Sequence, residues 1–400
     1  MKNHNASTDK GYTAKGFNYK KFLIIIVVLA TIILSLHQYL LGSFYIAMEP
    51  WFMTHYNNFL IFRQSFYHLI DHQDLYQQSG FEYMDLYKYS PSFALFMGPI
   101  ALLAVVPGLL AWNLVNSLVF FFGFWKLQFR NDKTKAIAFG FLFIEMITSL
   151  QNMQSNCLIA GLLLFAFFMM ERRKVALAAL FIVLTIFIKL FGIVALSLFL
   201  LYPQRWKALL YALVWAIIIA ILPLLVVNPA HLILLYQNWL TLLVKDYAVP
   251  NSFSIYGWLN AWFNLGVSRS VVFVTGGILF IIPLIRRRLF SEVKFRLFFL
   301  ASILLWVVLF NHKAESPTYI IACTGVSIWF FIQKLRVENL ILLGLVFVFT
   351  VLSHTDLFPD HDFIDKYCLK AVPCILVWIK LLWDLMNPAY KTEAEVQVSG

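Results

Sequence analysis

A lysine inside an apolar stretch is the first residue in this sequence whose position predicts chemistry. Lys189 interrupts the 28 otherwise uncharged residues 175–202. An ionisable group at membrane depth is costly and is therefore functional or paired by default. A cation at this position can hold a phosphate. The structural alternatives are a lysine that reaches the interface along its stem, or a buried pair with Glu145.

Glu145 lies one predicted helix before Lys189 and is followed by a run of amides and hydroxyls. The run comprises Gln151, Asn152, Gln154, Ser155 and Asn156. Side-chain amides both donate and accept hydrogen bonds, which suits a ligand rich in hydroxyls. The alternative is a polar turn between two helices.

A third polar cluster, 311–319, reads Asn-His-Lys-Ala-Glu-Ser-Pro-Thr-Tyr and precedes an apolar run. His312 and Glu315 are three residues apart, which near a helix N-terminus would place them on one side as a general base and its orienting partner. One His and one Glu are too few ligands for a metal, so we expect neither a metal nor a cofactor. A solvated loop has a similar composition.

Two further loops carry polar groups. The first, 42–90, contains Glu49, Asp85, Lys88 and Tyr89, which suit a pocket at the membrane surface, although aromatic belts have the same composition. The second, 354–370, holds four Asp and two His, which favour either a divalent-ion site or a soluble acidic loop.

The elements that position these residues are predicted to be membrane helices. The chain has 400 residues, 61% hydrophobic and 13% charged, whereas soluble domains are about 25% charged. Water-soluble globular proteins are therefore excluded. Recurrent apolar blocks predict an all-α, polytopic integral membrane protein with about 11–13 transmembrane or re-entrant helices. The first block is too long for a cleavable signal peptide, and the four Cys form neither a disulfide framework nor a metal motif.

Basic residues predict which loops are cytoplasmic. From Arg172 onward every second loop is basic, which places the tails 1–21 and 387–400 inside and the membrane domain at 22–386. Inner segments hold 23 Lys and Arg against 8 Asp and Glu, and outer segments hold 7 against 11. The net charge of +11 therefore reflects a basic inner surface rather than nucleic-acid binding.

The outer loops 42–90 and 228–269 are each predicted to contain an interfacial helix. Apolar residues recur at helical spacing through 59–70 and more weakly through 230–246. The charge rule also implies that only 109–125 crosses the membrane and that 91–106 is partial or re-entrant. Two short crossings with a basic outer loop are the alternative.

The order of these features resembles glycosyltransferase family 87, membrane enzymes of the GT-C class. The resemblance covers most of 20–350. It rests on NNFLIFRQSFYHLIDHQDLY, DLYKYSPSFALFMGPIALL, QSNCLIAGLLLFAF, LTIFIKLFG, NSFSIYGWL and HKAESPTY. The family implies transfer of one sugar from a polyprenyl-phosphate donor, on the outer face of the membrane and with inversion.

The resemblance also implies residue roles. Lys189 matches the lysine expected at the donor phosphate, Gln154 and Asn156 match a Gln-x-Asn pair, and His312 matches a late-loop histidine. Met153 replaces a glycine, so the local turn is expected to differ.

The chain departs from the family where an Asp is expected to act as base, because Asn58 occupies that place and an amide cannot accept the proton. His312 or Glu315 is the predicted replacement base, with Asp85 and Glu49 in reserve. Lys88, Tyr89, Glu49 and Asn251 complete the predicted substrate-binding set.

The predicted activity is transfer of a mannose- or arabinose-like sugar to a glycan or glycolipid at the periplasmic face of a bacterial inner membrane. The predicted partners are the polyprenyl-phosphate-sugar donor, that acceptor and the lipid bilayer, without nucleic acid. Two alternatives are a transporter or flippase of a lipid-linked saccharide, and a non-catalytic paralogue that binds polyprenyl lipid.

Overall fold

The computed structural model describes residues 17–45, 52–78, 82–245, 253–355, 358 and 360–387. The predicted substrate-binding residues Glu49 and Asn251, and most of both predicted tails, lie outside the described residues. The structure is 75% helical, and the described part has one two-stranded antiparallel sheet, β1 (Ser43–Tyr45) with β2 (Phe52–Thr54). The all-α class predicted from the sequence is therefore confirmed.

The helices in the first half of the chain lead from the first long apolar segment to the residues around Lys189. They are α1 (Tyr19–Leu41), α2 (Asn57–Ile70), α3 (Pro91–Phe96), α4 (Gly98–Ala101), α5 (Val105–Trp125), α6 (Asp132–Gln151), α7 (Asn156–Glu171), α8 (Val175–Ile188) and α9 (Gly192–Ala195), which continues as a 3-10 helix, Leu196–Leu201.

The helices in the second half begin with another long apolar segment. They are α10 (Arg205–Ile221), α11 (Pro229–Lys245), α12 (Ile255–Phe263), α13 (Arg269–Ile281), α14 (Val293–Leu309), α15 (Tyr319–Phe331), α16 (Val337–Val346), α17 (His361–Lys366) and α18 (Val372–Met386). Short 3-10 turns extend α10 and α13, and a 3-10 turn, Ser316–Thr318, precedes α15.

Three helical segments among the described residues are long and apolar enough to cross a bilayer alone: Tyr19–Leu41, Val105–Trp125 and Arg205–Leu225. Six shorter apolar helices accompany them. Helices buried in protein on several sides need fewer apolar residues than an isolated span. An integral membrane protein is thus supported, while the number of crossings stays a prediction.

The segment before α5 has the form expected of a partial crossing. Helices α3 and α4 contain six and four residues, and at about 1.5 Å per residue they are together much shorter than the roughly 30 Å hydrocarbon core. Helix α5, with 21 residues, is long enough. This geometry favours one crossing between 91 and 125.

The first predicted interfacial helix differs from the expectation. Residues 57–70 do form helix α2, but its apolar face lies inside the protein: Phe59, Phe62 and Leu69 are buried, and Phe62 contacts Trp112 edge-on. An amphipathic pattern marks a buried face without saying whether lipid or protein covers it. Helix α11 instead keeps several apolar side chains exposed, as an interfacial helix would.

Close backbone packing joins the helices that lead to the site. Helices α5 and α7 approach at Gly123 and Gly161, where a Cβ added to Gly161 would lie 2.6 Å from the carbonyl oxygen of Val119. Helices α14 and α15 form the buried centre of the second half. Small residues at helix crossings of this kind let the backbones meet without a void.

A buried ion pair accounts for Glu145. Its Oε1 lies 2.7 Å from the Nζ of Lys370, which also donates to the backbone oxygen of Thr350 at 2.9 Å. Glu145 is 0% exposed and Lys370 1%. The alternative in which Lys189 pairs with Glu145 is therefore wrong. Lys370, the last residue of the loop 354–370, is buried and not solvated.

Candidate functional site

Lys189 lies in the break between two helices of one hairpin. Helix α8 ends at Ile188, Lys189 is extended (φ −140°, ψ 141°), and α9 begins at Gly192, packed against Ile182 and Thr185 of α8. The chain therefore doubles back at Lys189. Ser90 fixes this end of α8, because its hydroxyl donates to the carbonyl oxygen of Phe187 at 2.6 Å.

Two amide side chains hold the lysine ammonium. Lys189 Nζ donates to Asn156 Oδ1 at 3.0 Å and lies 3.5 Å from Gln154 Oε1. Among the described residues no carboxylate is within ion-pair distance of it. Lys189 is half-buried, whereas Gln154 and Asn156 are buried. The charge is therefore fixed in place but not neutralised, as a phosphate site requires.

The two amides are themselves held in register. Asn156 Nδ2 donates to Gln154 Oε1 at 2.6 Å and to the carbonyl oxygen of Pro317 at 3.0 Å. Gln154 Nε2 donates to Glu315 Oε2 at 2.7 Å. A single amide side chain thus separates the Glu315 carboxylate from the Lys189 ammonium.

The turn before Asn156 keeps a conformation that favours glycine. Met153 has φ 51°, a left-handed conformation that most side chains avoid. Its carbonyl oxygen accepts from Trp112 Nε1 at 2.8 Å, and its buried sulfur lies 2.9 Å from Asn113 Nδ2. The replacement of the expected glycine has therefore not removed the left-handed geometry, so the expectation of a different turn receives no support from the backbone.

Glu315 joins this network from the loop that precedes the 3-10 segment Ser316–Thr318 and helix α15. Residues 312–315 precede the 3-10 segment Ser316–Thr318, so His312 and Glu315 lie near a helix N-terminus but outside the helix itself. Glu315 is exposed and contacts Gln154, while His312 is half-buried in the same turn. Glu315 is the last extended residue (φ −99°, ψ 162°) before the 3-10 segment, and Pro317 lies within that segment, near its start, where its missing N–H costs no helical hydrogen bond.

Tyr89, from the segment 82–90, and Phe191, from the break between α8 and α9, form an aromatic wall beside the lysine. The Lys189 Nζ is 6.0 Å from the centroid of the Tyr89 ring and 5.8 Å from that of Phe191. Burial raises the pKa of the Tyr89 hydroxyl, and the nearby charge of Glu315 adds to this shift. The phenol therefore remains a hydrogen-bond donor at neutral pH.

Asp85 and Lys88 interact mainly with each other. Lys88 Nζ lies 2.9 Å from Asp85 Oδ2, and both side chains are partly or largely exposed. Asp85 also accepts from the backbone N–H of Leu86 at 2.7 Å. Lys88 directly precedes Tyr89 in the chain, which places it at the edge of the site, and Asp85 orients it.

Asn58 lies near the same turn as a structural donor. Its Nδ2 donates to the carbonyl oxygen of Asn152 at 2.8 Å, which ties α2 to the end of α6. The neighbouring Asn57 clamps the backbone of Met84 in both directions, at 2.8 and 2.9 Å. The amide at position 58 thus caps a carbonyl group, a role that a carboxylate cannot fill.

The acidic loop 354–370 is built without a cluster of metal ligands in its described part. His354 Nε2 lies 3.2 Å from Asp365 Oδ1, and Asp360 caps α17 through the backbone N–H of Phe363. No group of three or more possible ligands occurs among the residues described. Asp360 instead caps the short helix of this loop, and Asp365 pairs with His354.

Sequence reasoning missed the residues that position the site. Ser90, Trp112 and the carbonyl oxygen of Pro317 act through single hydrogen bonds between segments distant in the chain. No spacing rule predicts such pairs. Only Ser90 carried a signal, since a serine before a proline is a typical helix N-cap, and its side chain does cap α3.

The assembled site presents a fixed cation and a carboxylate about one side chain apart, beside an aromatic wall. A cation stabilises a departing phosphate, and a carboxylate can accept the proton of an attacking hydroxyl. Transfer of a sugar from a phosphate fits this arrangement.

Comparison with known proteins gives a family. The model of glycosyltransferase family 87 matches residues 87–312, more than half of the 400 residues but a shorter range than the resemblance first indicated. The matched range contains Lys189, Gln154, Asn156 and His312, and it leaves out Asn58 and Glu315. No curated protein matches the chain. The match over most of the site shows that the chain belongs to glycosyltransferase family 87.

Proposed function

We propose that this membrane glycosyltransferase moves one mannose- or arabinose-like sugar from a polyprenyl-phosphate donor to a glycan or glycolipid, with inversion. Family membership supports sugar transfer. The observation that supports the choice of donor is Lys189, whose ammonium is held by the amide oxygens of Asn156 and Gln154 with no described carboxylate within ion-pair distance. A fixed cation without an ion-pair partner suits a lipid-linked phosphate.

Glu315 is the base in this proposal. Its carboxylate is exposed and accepts from Gln154, so one amide orients both the base and, through its oxygen, the lysine. An acceptor hydroxyl bound beside Glu315 would lose its proton as it attacks the first carbon of the sugar, and the phosphate would leave towards Lys189. His312, in the same turn, is the alternative base.

The protonated Tyr89 hydroxyl supplies a further donor beside the lysine, for a phosphate oxygen or a sugar hydroxyl. Lys88 adds positive charge at the edge. Both lie in the segment that Ser90 fixes to the end of α8, so the loop and the lysine are positioned by one contact.

The outer face of a bacterial inner membrane is the proposed location of the site. The turns around Lys189 and Glu315 belong to the ends of the helices that are poor in Lys and Arg. Basic clusters occupy the turns at the other ends, at 172–174, 205–207 and 286–288. Positive loops favour the cytoplasm, so the site would face the periplasm.

The donor assignment is tested with full-length protein in nanodiscs and a panel of polyprenyl-phosphate sugars. Donor binding and sugar transfer are measured for the natural chain and for Lys189→Met, which keeps the stem and removes the charge. Losing a charge-assisted hydrogen bond amounts to roughly 1.5–3 kcal/mol, so donor affinity should fall about 10- to 150-fold.

Lys207→Met is the matched control, because Lys207 is an exposed lysine at the opposite helix ends, and it should leave affinity unchanged. Unchanged donor affinity in Lys189→Met would refute the role of the lysine. Donor that crosses proteoliposomes without losing its sugar would make the chain a transporter. Tight donor binding without turnover of any acceptor would make it a non-catalytic lipid-binding relative.

A further inference from the structure

A cavity opens at the opposite ends of the helices from Lys189. Its volume is about 500 Å³, and it lies between the end of α7, the 3-10 helix that follows α9, the start of α10 and the start of α14. Helix α7 joins the two regions, with Asn156 at one end and Glu171 at the other. Sixteen helical residues span roughly 24 Å, so this cavity is separate from the Lys189 site.

Four arginines line this cavity with a single carboxylate. The arginines are Arg173, Arg205, Arg287 and Arg296, and the carboxylate is Glu171. Groups of this kind focus a positive potential inside a concave surface.

The carboxylate is already committed to one of these arginines. Glu171 binds Arg296 in a bidentate pair, with Arg296 Nε 2.7 Å from Oε1 and Nη2 2.8 Å from Oε2. The Tyr202 hydroxyl donates to the same carboxylate at 2.5 Å. Arg296 is only 9% exposed, so this triad forms a rigid, neutral floor.

The remaining three arginines carry uncompensated charge. Arg173, Arg205 and Arg287 are exposed, and among the residues that the structure describes no carboxylate lies within ion-pair distance of them. They come from three separate turns and meet only at this cavity. An arginine guanidinium matches the geometry of phosphate oxygens and binds them in bidentate fashion.

The rim of the cavity continues onto apolar surface. Trp206, which follows Arg205, is 73% exposed, and Ile285, two residues before Arg287, is 76% exposed. Leu210, one helical turn beyond Trp206, is also exposed. An exposed tryptophan beside basic residues is typical of the boundary between headgroups and acyl chains. Acyl chains can therefore lie on this surface while a headgroup enters the cavity.

We propose that this cavity binds the headgroup of an anionic glycerophospholipid, with its phosphate held by Arg173, Arg205 and Arg287. The volume is within the range of about 300–1,000 Å³ that suits small ligands. The polar cavity beside an apolar rim favours a phosphate attached to acyl chains over a free phosphate ion. The site is independent of sugar transfer, because it lies at the other helix ends.

Lipid binding is measured by native mass spectrometry of the full-length protein in detergent, with dioleoyl phosphatidylglycerol as probe and the zwitterionic phosphatidylcholine as reference. The cavity variant replaces three residues together: Arg173→Gln, Arg205→Gln and Arg287→Gln. Each basic residue near an anionic lipid contributes about a fivefold factor in affinity. Phosphatidylglycerol binding should therefore weaken roughly 100-fold, with phosphatidylcholine binding unchanged.

The control variant removes the same charge from the same turns outside the cavity: Arg172→Gln, Lys207→Gln and Arg288→Gln. These residues are exposed and do not line the cavity, so affinity should stay within about threefold. Equal losses in the two variants would overturn the proposal and leave only a generally basic surface.

Two further measurements test whether the charge of the cavity holds the lipid and whether the ligand is a free phosphate ion. Replacing the three cavity arginines by lysine keeps the charge but loses the bidentate geometry, so phosphatidylglycerol binding should weaken clearly less than in the glutamine variant. A loss as large as that of the glutamine variant would overturn the proposal that the cavity charge holds the phosphate. Inorganic phosphate at millimolar concentration should not displace the lipid. Displacement would show that the ligand is free phosphate and would overturn the lipid assignment.

Discussion

The buried Glu145–Lys370 pair gives the sharpest test of the packing described for this protein. Lys370→Met keeps an unbranched side chain of similar length while removing the ammonium 2.7 Å from Glu145 Oε1. The carboxylate is fully buried, so without its partner it would either be an unpaired buried charge or have to take up a proton, and both cost stability. The backbone oxygen of Thr350 would also lose one of its two side-chain donors.

Breaking one side of a buried pair destabilises a protein by about 3–5 kcal/mol. With an unfolding entropy of about 2.1 cal/mol/K per residue, the 400 residues give roughly 0.8 kcal/mol/K. The midpoint of thermal unfolding should therefore fall by about 4–6 °C. Thermal unfolding of the full-length protein in detergent, followed by tryptophan fluorescence, measures this shift.

The double variant Glu145→Gln with Lys370→Met removes both charges and should recover at least half of the loss, because no unpaired charge remains. Lys189→Met serves as the contrast, since that lysine is half-buried and binds amides rather than a carboxylate. Its midpoint should fall by less than half as much. A shift below about 1 °C for Lys370→Met, or a double variant less stable than either single one, would refute the argument.

Three further predictions concern the base, the capped turn and the helix crossing. In a single-turnover assay, Glu315→Gln should lower the transfer rate about 100- to 10,000-fold and leave donor affinity nearly unchanged. If Glu315→Gln is fully active and His312→Ala is inactive, the base is His312 instead. Asn58→Asp should destabilise the fold by about 1 kcal/mol, because a carboxylate cannot donate to the carbonyl group that this amide caps. The substitution should not raise the transfer rate. A faster enzyme would show that a carboxylate at position 58 can still act as the base. Gly161→Ala should destabilise by about 1–3 kcal/mol through overpacking, whereas Gly140→Ala, with open space around it, should be neutral or slightly stabilising in the same thermal assay.

Much of the fold could be predicted because the hydropathy of a short stretch of sequence is enough to indicate a membrane helix. The apolar blocks predicted the helices, and the break at Lys189 was visible as a charge in an uncharged run. The face of α2 could not be assigned from periodicity, since lipid and protein interior are equally apolar and the pattern does not distinguish them. Packing against Trp112 decided that the face is buried in protein.

The site was only partly predictable, because local sequence shows which residues are polar but not which of them meet. Lys189, Gln154 and Asn156 carried a signal, because polar groups in apolar surroundings are rare. The partner of Glu145 carried no such signal, because Lys370 was one charge among several in an acidic loop more than two hundred residues away. Hydrogen bonds between distant segments depend on how the helices pack, which local sequence does not encode.

The sequence alone determined that this chain is an all-α membrane protein with a lysine at a helix break, because hydropathy and charge act residue by residue. The tertiary structure decided which groups meet. It joined Lys189 to two amides and, through Gln154, to Glu315, and it used Lys370 to compensate Glu145. A buried charge must find its partner somewhere in the fold, but only the packing of distant helices determines which partner it is.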